Sequence, residues 1–446
     1  MSDLTLRSEA AAPKQSLRQA AAGAVGNAME WYDFTVYGYF AATIGREFFP
    51  SSDPFSSLLA SFGAFAAGFL ARPFGALVFG HIGDKVGRRA AMWISALAMA
   101  VPTFLIGLLP TYHQIGAMAP ALLVLLRLMQ GLAVSGEMGT SVTFLVEHAS
   151  RRHRGLIGST AGVSAGVGTL IGSAVGALLT GLLSNEAVQD WGWRVPFLVG
   201  IVLSAVALYL RRTMPSGEER GKLRSSPLRE AFATQWRAML ALLGMNAVGS
   251  VGFYLCFIFV TTYLRKTEHI AASTTLDINS FAMLVQLLVI PLAAALSDRI
   301  GRRPVLLAAA AAQLILAWPL FLLMHHPSPV LEVVGQTVLG SMVGCFIGVA
   351  PTLMAEMLPA NVRCTTVSFS YNVGFGVLGG LTPLAALAFM RLEGNALAPA
   401  FMLMVAALVS ILVILFMPET SGAVLPTTSA SSVDGTDSQL RASRKA

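Results

Sequence analysis

The stretch Asp84-Lys85-Val86-Gly87-Arg88-Arg89 lies between two long apolar runs and returns about half the chain later as Asp298-Arg299-Ile300-Gly301-Arg302-Arg303. In each copy a glycine permits a tight reversal, and an arginine pair suits the anionic face of a membrane. A charged hexapeptide that recurs at half-chain spacing predicts two similar membrane bundles in tandem. Parallel repeats of this kind enclose a solute site between them in one large class of secondary transporter.

Composition predicts the same class. Apolar residues make up 55% of the 446 residues and charged residues 12%, and mean hydropathy is +0.68. A soluble domain carries roughly 25% charged residues, so this chain cannot cover itself with a water-facing surface. The net charge of +7 does not indicate nucleic-acid binding, because the basic residues are confined to short loops. Three cysteines are too few for a disulfide framework, and the polar N-terminus lacks the apolar core of a signal peptide.

Twelve apolar runs are long enough to cross a bilayer, which takes about 20 residues. We therefore predict an all-α integral membrane protein with twelve transmembrane helices in two six-helix bundles. The predicted divisions are an N-terminal segment 1–19, a first bundle 20–212, a central loop 213–237, a second bundle 238–417 and a disordered tail 418–446. Lysine and arginine concentrate in alternate loops, and the positive-inside rule then places both termini in the cytoplasm.

A second charged pattern accompanies the hexapeptides. In each half a glutamate at the end of a span precedes an arginine in the following loop: Glu147 before Arg154, and Glu356 before Arg363. Such pairs can form a charge network with the aspartate turn and break when the bundles rock, although topology alone also explains basic turns. The predicted gating residues are Asp84, Arg88, Arg89, Glu147, Arg154, Asp298, Arg302, Arg303, Glu356, Arg363 and Arg72, the last with a structural role as the alternative.

Ionisable side chains inside the spans are the next candidates, because each costs roughly 2.5–3.5 kcal/mol or more at bilayer depth. A proton site needs a desolvated carboxylate near a modulating cation. We rank Asp33 first, then Glu137 and Glu30, with Arg127 as the modulating charge. Glu30 and Asp33 are three residues apart and share a helix face. The alternative is that these charges form permanent ion pairs between spans 1, 2 and 4.

Substrate contacts are predicted from both halves. The planar fork of Arg127 suits a carboxylate, with internal pairing as the alternative. The second half offers only neutral polar groups in mid-span. The predicted substrate-binding residues are Arg127, Tyr37, Asn246, Tyr371 and Asn372. No nucleophile–base pair or metal-ligand cluster is recognisable, so we expect no enzyme, no metal and no cofactor beyond a proton gradient.

The run from Gly80 to Arg89 is similar to the loop 2–3 signature of the major facilitator superfamily, and the second copy departs from it at Ala294. Three further stretches, Gly26-Asn27-Ala28-Met29-Glu30-Trp31-Tyr32-Asp33-Phe34, Gln130-Gly131-Leu132-Ala133-Val134-Ser135-Gly136-Glu137 and Asp190-Trp191-Gly192-Trp193-Arg194-Val195-Pro196-Phe197, resemble the metabolite:proton symporter family. That family includes proline/betaine, α-ketoglutarate, shikimate and citrate carriers. The resemblance covers about residues 18–420 and departs from the pattern at Ser135.

The resemblance implies a monomeric proton symporter of the bacterial inner membrane. It would import a small carboxylate-bearing metabolite by alternating access. The substrate is either an organic acid such as citrate or α-ketoglutarate, or a zwitterion such as proline or betaine. A proton-driven exporter of amphiphilic compounds on the same fold is the alternative. A non-transporting membrane receptor is disfavoured, because a sensor has little use for several buried carboxylates.

Overall fold

The computed structural model describes residues 24–85, 88–134, 137–212, 227–267, 271–326 and 328–426. Within these ranges the chain forms helical spans and no strand. The spans of the first half are span 1 (24–39 and Ala41–Phe48), span 2 (Pro54–Lys85), span 3 (Arg88–Leu108), span 4 (Met118–Val134 and Glu137–His148), span 5 (Arg154–Gly158 and Thr160–Leu182) and span 6 (Val195–Arg212). Short helices Tyr112–Ile115 and Asn185–Asp190 lie in the connections.

The second half repeats this plan with two irregularities. Its spans are span 7 (Pro227–Phe253, Tyr254–Phe259 and Val260–Thr267), span 8 (Ala272–Ile300), span 9 (Arg302–Met324), span 10 (Pro329–Glu356), span 11 (Arg363–Tyr371, Asn372–Gly379 and Gly380–Glu393) and span 12 (Ala398–Leu415). The middle segments of spans 7 and 11 are π-helical. Bulges of this kind interrupt α-helices mostly at functional sites.

Length and composition agree with a membrane-spanning fold. In the described ranges eight helices are long and apolar enough to cross a membrane, and Ile94–Leu108, Met118–Val134 and Gly192–Val202 are shorter apolar helices. Span 1 is in neither group; it carries Glu30 and Asp33 and breaks at Phe40. The predicted all-α architecture of twelve spans is therefore confirmed.

Glycines of span 5 bring the two halves into close contact. A Cβ atom at Gly162 would lie 3.2 Å from Ile347 Cγ2, and one at Gly166 would lie 2.6 Å from Leu287 Cδ2. Both neighbours belong to the second half, in spans 10 and 8. Small residues at four-residue spacing let helices approach this closely, which a moving interface between two bundles requires.

The second copy of the hexapeptide lies at one end of the molecule, here named the motif end; the opposite end is the far end. In the second copy Gly301 connects spans 8 and 9 with a φ of +107°, a conformation that favours glycine. The corresponding residues 86–87 of the first copy lie outside the described ranges. The tight-turn prediction is therefore supported for one copy.

Two predicted irregular segments contain more structure than expected. Residues 227–237 of the central loop are helical, because span 7 begins at Pro227. Residues 418–426 of the tail, predicted to be disordered, are held against the motif end by hydrogen bonds from Arg302, Arg154 and Arg363. The prediction of disorder is wrong for 418–426. The polar composition of the tail favours disorder, but arginines far away in sequence form hydrogen bonds to this segment and order it. Residues 427–446 are outside the described ranges.

Candidate functional site

A cavity lies between the two halves. The first half lines it with Trp31 and Met138 and with small residues of span 5. The second half contributes Asn246, Phe253, Gln286, Tyr371 and Phe375 among others. Two predicted substrate residues, Asn246 and Tyr371, therefore line one cavity. Clefts between helices of a bundle are a common place for small-molecule sites.

The other predicted substrate residues lie away from this cavity. Asn372 donates to the Ser368 carbonyl (2.9 Å) inside its own helix, and Tyr37 donates to the Ser61 carbonyl (3.1 Å). The guanidinium of Arg127 lies 4.2 Å from the centre of the Tyr37 ring and donates to Gln130 Oε1 (2.9 Å). None of the three is a lining residue.

Asp33 is 2% exposed and forms part of a hydrogen-bonded chain in the first half. The Thr103 hydroxyl donates to Asp33 Oδ2 (2.6 Å), Gln130 Nε2 donates to Thr103 Oγ1 (2.7 Å), and Arg127 donates to Gln130. Asp33 Oδ1 accepts no hydrogen bond from the described residues. The predicted carboxylate and its predicted modulating cation are thus connected through two neutral side chains, with no direct ion pair between them.

Glu30 takes a different partner from Asp33. It forms an ion pair with Arg72 of span 2, and both side chains are almost fully buried. The Arg72 guanidinium also lies over Phe34 (5.4 Å) and Phe69 (5.3 Å). A Cβ atom at Gly376 of span 11 would lie 3.0 Å from Arg72 Cδ. The pair therefore sits where the first half meets the π-helical segment of the second.

Two glutamate–arginine ion pairs close the motif end, and each pair joins a residue of the first half to a residue of the second. Arg363 Nη1 lies 2.6 Å from Glu147 Oε1, and Arg154 Nη1 lies 3.6 Å from Glu356 Oε1. Each glutamate thus meets the arginine that follows the other glutamate in sequence. The sequence predicted the four residues and their network; it did not specify this exchange of partners.

The second hexapeptide joins the same network. Arg302 Nη1 pairs with Asp298 Oδ1 (2.7 Å) and Arg302 Nη2 with Glu356 Oε1 (3.1 Å). Asp298 accepts from the backbone N–H of Gly155 (2.8 Å) and Leu156 (3.0 Å), at the start of span 5. The side chain of Asp298, in the second half, therefore contacts the backbone of the first half.

The tail completes this end. Glu419 accepts from the backbone N–H of Arg302 (2.8 Å) and Arg303 (2.9 Å) at the start of span 9. Partial burial raises the pKa of Glu419, but hydrogen bonds from backbone N–H groups, two of them these, outweigh it and leave the pKa below its usual range. Arg303 Nη2 also donates to the Leu415 carbonyl (2.8 Å). Ala423 and Pro426 offer their carbonyls to Arg154 (3.1 Å) and Arg363 (3.0 Å).

Neutral side chains close the far end. Asn279 Nδ2 donates to Tyr39 Oη (2.6 Å) and to Ser173 Oγ (3.1 Å), both in the first half. Asn279 Oδ1 accepts from Gln336 Nε2 (2.6 Å). Sequence reasoning missed Asn279, because it follows the polar residues Ser273, Thr274, Thr275 and Asp277 at the edge of an apolar run and does not stand out there. An exposed ion pair between Asp53 and Arg391 (3.0 Å) joins the halves nearby.

Four predicted site residues have side chains outside the described part of the chain. These are Asp84, Arg88, Arg89 and Glu137. Their backbones lie at the end of span 2, the start of span 3 and the start of the second helix of span 4. Their predicted roles stay predictions. In the described residues no group of three or more metal-ligating side chains occurs.

Comparison with known proteins identifies the family of this two-bundle arrangement. The model of the sugar (and other) transporter family matches residues 20–218 and 213–429. The chain is 33% identical over 435 residues to the proline/betaine transporter of Escherichia coli strain K12, covering 94% of this chain and 87% of that one. It is 33% identical over 407 residues to the citrate-proton symporter of Klebsiella pneumoniae, covering 90% and 92%. The chain belongs to the major facilitator superfamily. Within it, the chain is a member of the metabolite:proton symporter family.

Solved structures of this superfamily have the same fold. The proton:xylose symporter XylE, bound to 6-bromo-6-deoxy-D-glucose, superimposes with a TM-score of 0.74 at 16% sequence identity, covering 93% of this chain and 98% of that one. The eight apolar helices of the described part and the bacterial relatives make this major facilitator protein a multi-pass protein of the bacterial inner membrane. It is a transporter and no enzyme, as the sequence predicted.

Proposed function

We propose that this protein is a proton-coupled symporter that takes up a small carboxylate-bearing metabolite by alternating access. The supporting observation is a cavity between two bundles that meet at both ends, by ion pairs at one and by amide hydrogen bonds at the other. A site enclosed in this way exchanges solute only when one end opens. The relatives are transporters of proline and betaine and of citrate, and each of these compounds carries a carboxylate.

Asp33 is proposed as the proton carrier. Its carboxylate is buried and accepts one hydrogen bond from the described residues, so its charge is only partly compensated there, and proton uptake removes that charge. Arg127 is proposed to modulate this step through Gln130 and Thr103. Because Glu30 forms an ion pair with Arg72, we assign Glu30 to the contact between the halves. Glu137 is proposed as a second proton site.

The motif end is proposed as the cytoplasmic gate, with both termini in the cytoplasm. Glu147, Arg154, Glu356 and Arg363 would separate when that end opens, together with Asp298 and Arg302. The first hexapeptide (Asp84, Arg88 and Arg89), Arg303 and the Glu30–Arg72 pair complete the proposed gate. The proton gradient is the energy source and no cofactor takes part. A single chain is the proposed working unit, because both halves of the site belong to it.

Substrate contacts are proposed for Asn246 and Tyr371, which line the cavity. Tyr37 and Asn372, which do not line the cavity, are proposed to hold the lining helices in position. Arg127, whose guanidinium is stacked on Tyr37, is proposed to reach a substrate carboxylate only in a conformation in which that stacking is broken.

Uptake into proteoliposomes under an imposed proton gradient tests the proposal. We expect labelled substrate to accumulate with the interior alkaline, and a protonophore to abolish the accumulation. Unlabelled proline, betaine, citrate and α-ketoglutarate serve as competitors. The substrate class is wrong if no carboxylate competes, and the coupling is wrong if a carboxylate enters without regard to the gradient.

A further inference from the structure

A short part of the tail crosses the motif end and contacts the charged residues of the proposed gate. Residues 419–426, here named the strap, follow span 12 and belong to the second half. Four gate residues each form a hydrogen bond with the strap: Arg302, Glu356, Arg154 and Arg363. The strap is therefore part of the same network as the ion pairs that join the two halves.

Both ends of the strap are fixed within the second half. At its start Glu419 accepts from the backbone N–H groups of Arg302 (2.8 Å) and Arg303 (2.9 Å), in the first turn of span 9. A carboxylate in this position satisfies donors that have no partner inside the helix. At its end the Pro426 carbonyl accepts from the N–H of Ala360 (3.1 Å), between spans 10 and 11. The strap should therefore move with the second half when the bundles rock.

The strap orients the glutamate of one ion pair. The buried Thr420 hydroxyl donates to Glu356 Oε2 (2.6 Å), and Arg302 donates to both oxygens of the same carboxylate (3.2 and 3.1 Å). Glu356 Oε1 lies 3.6 Å from Arg154 Nη1, in the first half. Thr420 and Arg302 thus fix the rotation of the carboxylate that Arg154 meets.

The strap orients the arginine of the other ion pair in the same way. Arg363 Nη2 donates to the Pro426 carbonyl (3.0 Å), and its Nε donates to the Leu358 carbonyl (3.0 Å). The remaining nitrogen, Nη1, donates to Glu147 Oε1 (2.6 Å) in the first half. Because two carbonyls already order the guanidinium, its pairing with Glu147 costs less side-chain entropy.

One contact of the strap reaches the first half directly, since Arg154 Nη1 donates to the Ala423 carbonyl (3.1 Å). We propose that the strap locks the cytoplasmic gate: it positions Glu356 and Arg363 for their partners and holds Arg154 itself. Opening the motif end breaks the Arg154 contact and both ion pairs that the strap orients. The inference rests on the proposed gate and adds its regulation, because displacement of the strap raises the fraction of molecules that are open at this end.

Two truncations test the lock. Removal of residues 423–446 deletes the carbonyl acceptors of two gate arginines but keeps Glu419 at the start of span 9. Removal of residues 427–446 leaves the whole strap in place and is the matched control. The melting temperature of each truncated protein in detergent shows that it remains folded.

Opening is measured as the alkylation rate of a cysteine in the central cavity. Ala350→Cys supplies it, since Ala350 lines the cavity and is buried, in a chain whose three native cysteines are replaced by alanine. A membrane-impermeant thiol reagent is added to inside-out vesicles. Loss of two charge-assisted hydrogen bonds should raise the rate about tenfold in the shorter protein and leave the control unchanged. Equal rates in both truncations, at whatever level, would overturn the lock.

A single substitution tests the positioning role without shortening the chain. Thr420→Val keeps the shape of the side chain and removes its hydroxyl, and should raise the alkylation rate about threefold. Thr261→Val is the control, because the Thr261 hydroxyl donates to a carbonyl of its own helix (2.9 Å). In an Arg154→Gln background Thr420→Val should have little further effect, since Thr420 acts on Arg154 through Glu356. A full threefold effect in that background would contradict the positioning role.

The alkylation rate requires neither substrate nor a proton gradient, so this inference and the proposed function fail separately. Strap-dependent alkylation without proton-driven uptake would overturn symport and leave the lock intact. Proton-driven uptake with alkylation that ignores the strap would do the reverse. A strap effect seen only in right-side-out vesicles would contradict the proposed orientation of the gate and still support the lock.

Discussion

The middle of the first half contains charge, whereas the middle of the second half contains amides. In the first half Glu30, Asp33, Arg72 and Arg127 are at most 2% exposed. In the second half the buried polar residues in the middle of the spans, among those described, include the amides Asn246, Asn279, Gln286, Gln313 and Gln336, whereas the buried Glu332 lies in the first turn of span 10, at the far end. Buried charges cost more than buried amides, so they persist where the protein uses them. The difference therefore suggests that the first half binds the proton while the second half mainly binds substrate and closes the far end.

The largest effect is expected from Asp33→Asn, which tests whether the buried charge of the first half carries the proton. Proton-driven accumulation should fall until internal and external substrate concentrations are roughly equal, because the side chain can no longer exchange a proton within the pH range of the cell. Substrate exchange without a gradient should persist, since Asp33 lies outside the cavity. Flux under a gradient and counterflow measure the two activities. Glu186→Gln, which removes an exposed carboxylate in the connection between spans 5 and 6, is the control. Accumulation that survives in Asp33→Asn would remove Asp33 from the coupling mechanism.

A second test compares the two exchanged pairs. In Arg363→Gln, Glu147 loses the ion pair that it makes in the described structure, whereas in Arg154→Gln, Glu356 still has Arg302. Breaking one side of a buried pair costs about 3–5 kcal/mol, and Glu147 is 29% exposed, which reduces that cost. We still expect Arg363→Gln to lower the transport rate several-fold more than Arg154→Gln, as initial uptake rates would show. The opposite order would show that Arg302 does not compensate for the loss of Arg154 at Glu356.

A third test concerns the backbone contact between Asp298 and the first half. In Gly155→Ala the added Cβ atom would lie 2.8 Å from Asp298 Oδ1 and 2.9 Å from the Ala294 carbonyl. Overpacking of this kind costs about 1–3 kcal/mol, so the melting temperature in detergent should fall. The matched control is Gly63→Ala, where a Cβ atom has no neighbour within 4 Å. If both variants melt alike, spans 5 and 8 do not approach as closely as described.

The smallest expected effect concerns Glu419 in the tail. Its folded-state pKa is lowered, so its contribution to stability is present above the unfolded-state pKa and is lost as pH falls through the folded-state pKa. We expect Glu419→Gln to melt a few degrees below the parent near neutral pH. The difference should shrink at acidic pH. Thermal melts across this pH series measure it, and a difference that does not change with pH would mean that charge is not involved.

The sequence predicted the architecture because hydropathy and the repeated hexapeptide are local patterns. It also predicted that Arg127 modulates the proton site at Asp33. Nothing in a single sequence indicates that Thr103 and Gln130 are the side chains that connect these two residues. Partner choice at the motif end depends on how two bundles meet. Spacing within one half therefore could not show that Glu147 pairs with Arg363.

The same limit applies to the cavity and the tail. Asn246 and Tyr371 were found as polar residues in apolar spans, but Trp31 and Gln286 line the cavity only because of the helix rotations that packing sets. Arg127, a predicted substrate residue, lies against Tyr37 and does not line the cavity, which a linear pattern of charges could not show. The order of residues 418–426 comes from arginines of three other spans, which no composition rule for a tail takes into account.

The exchange of glutamate and arginine partners has a consequence for assembly. If the two halves were produced as separate polypeptides, divided between residues 212 and 227, each would present one glutamate and one arginine whose partner lies on the other polypeptide. Two copies of the same half offer the same residue types, but not the hydrogen bonds from the Gly155 and Leu156 N–H groups to Asp298. The two complementary halves should therefore associate in the membrane and restore a working transporter. The gate residues would then determine which half binds which.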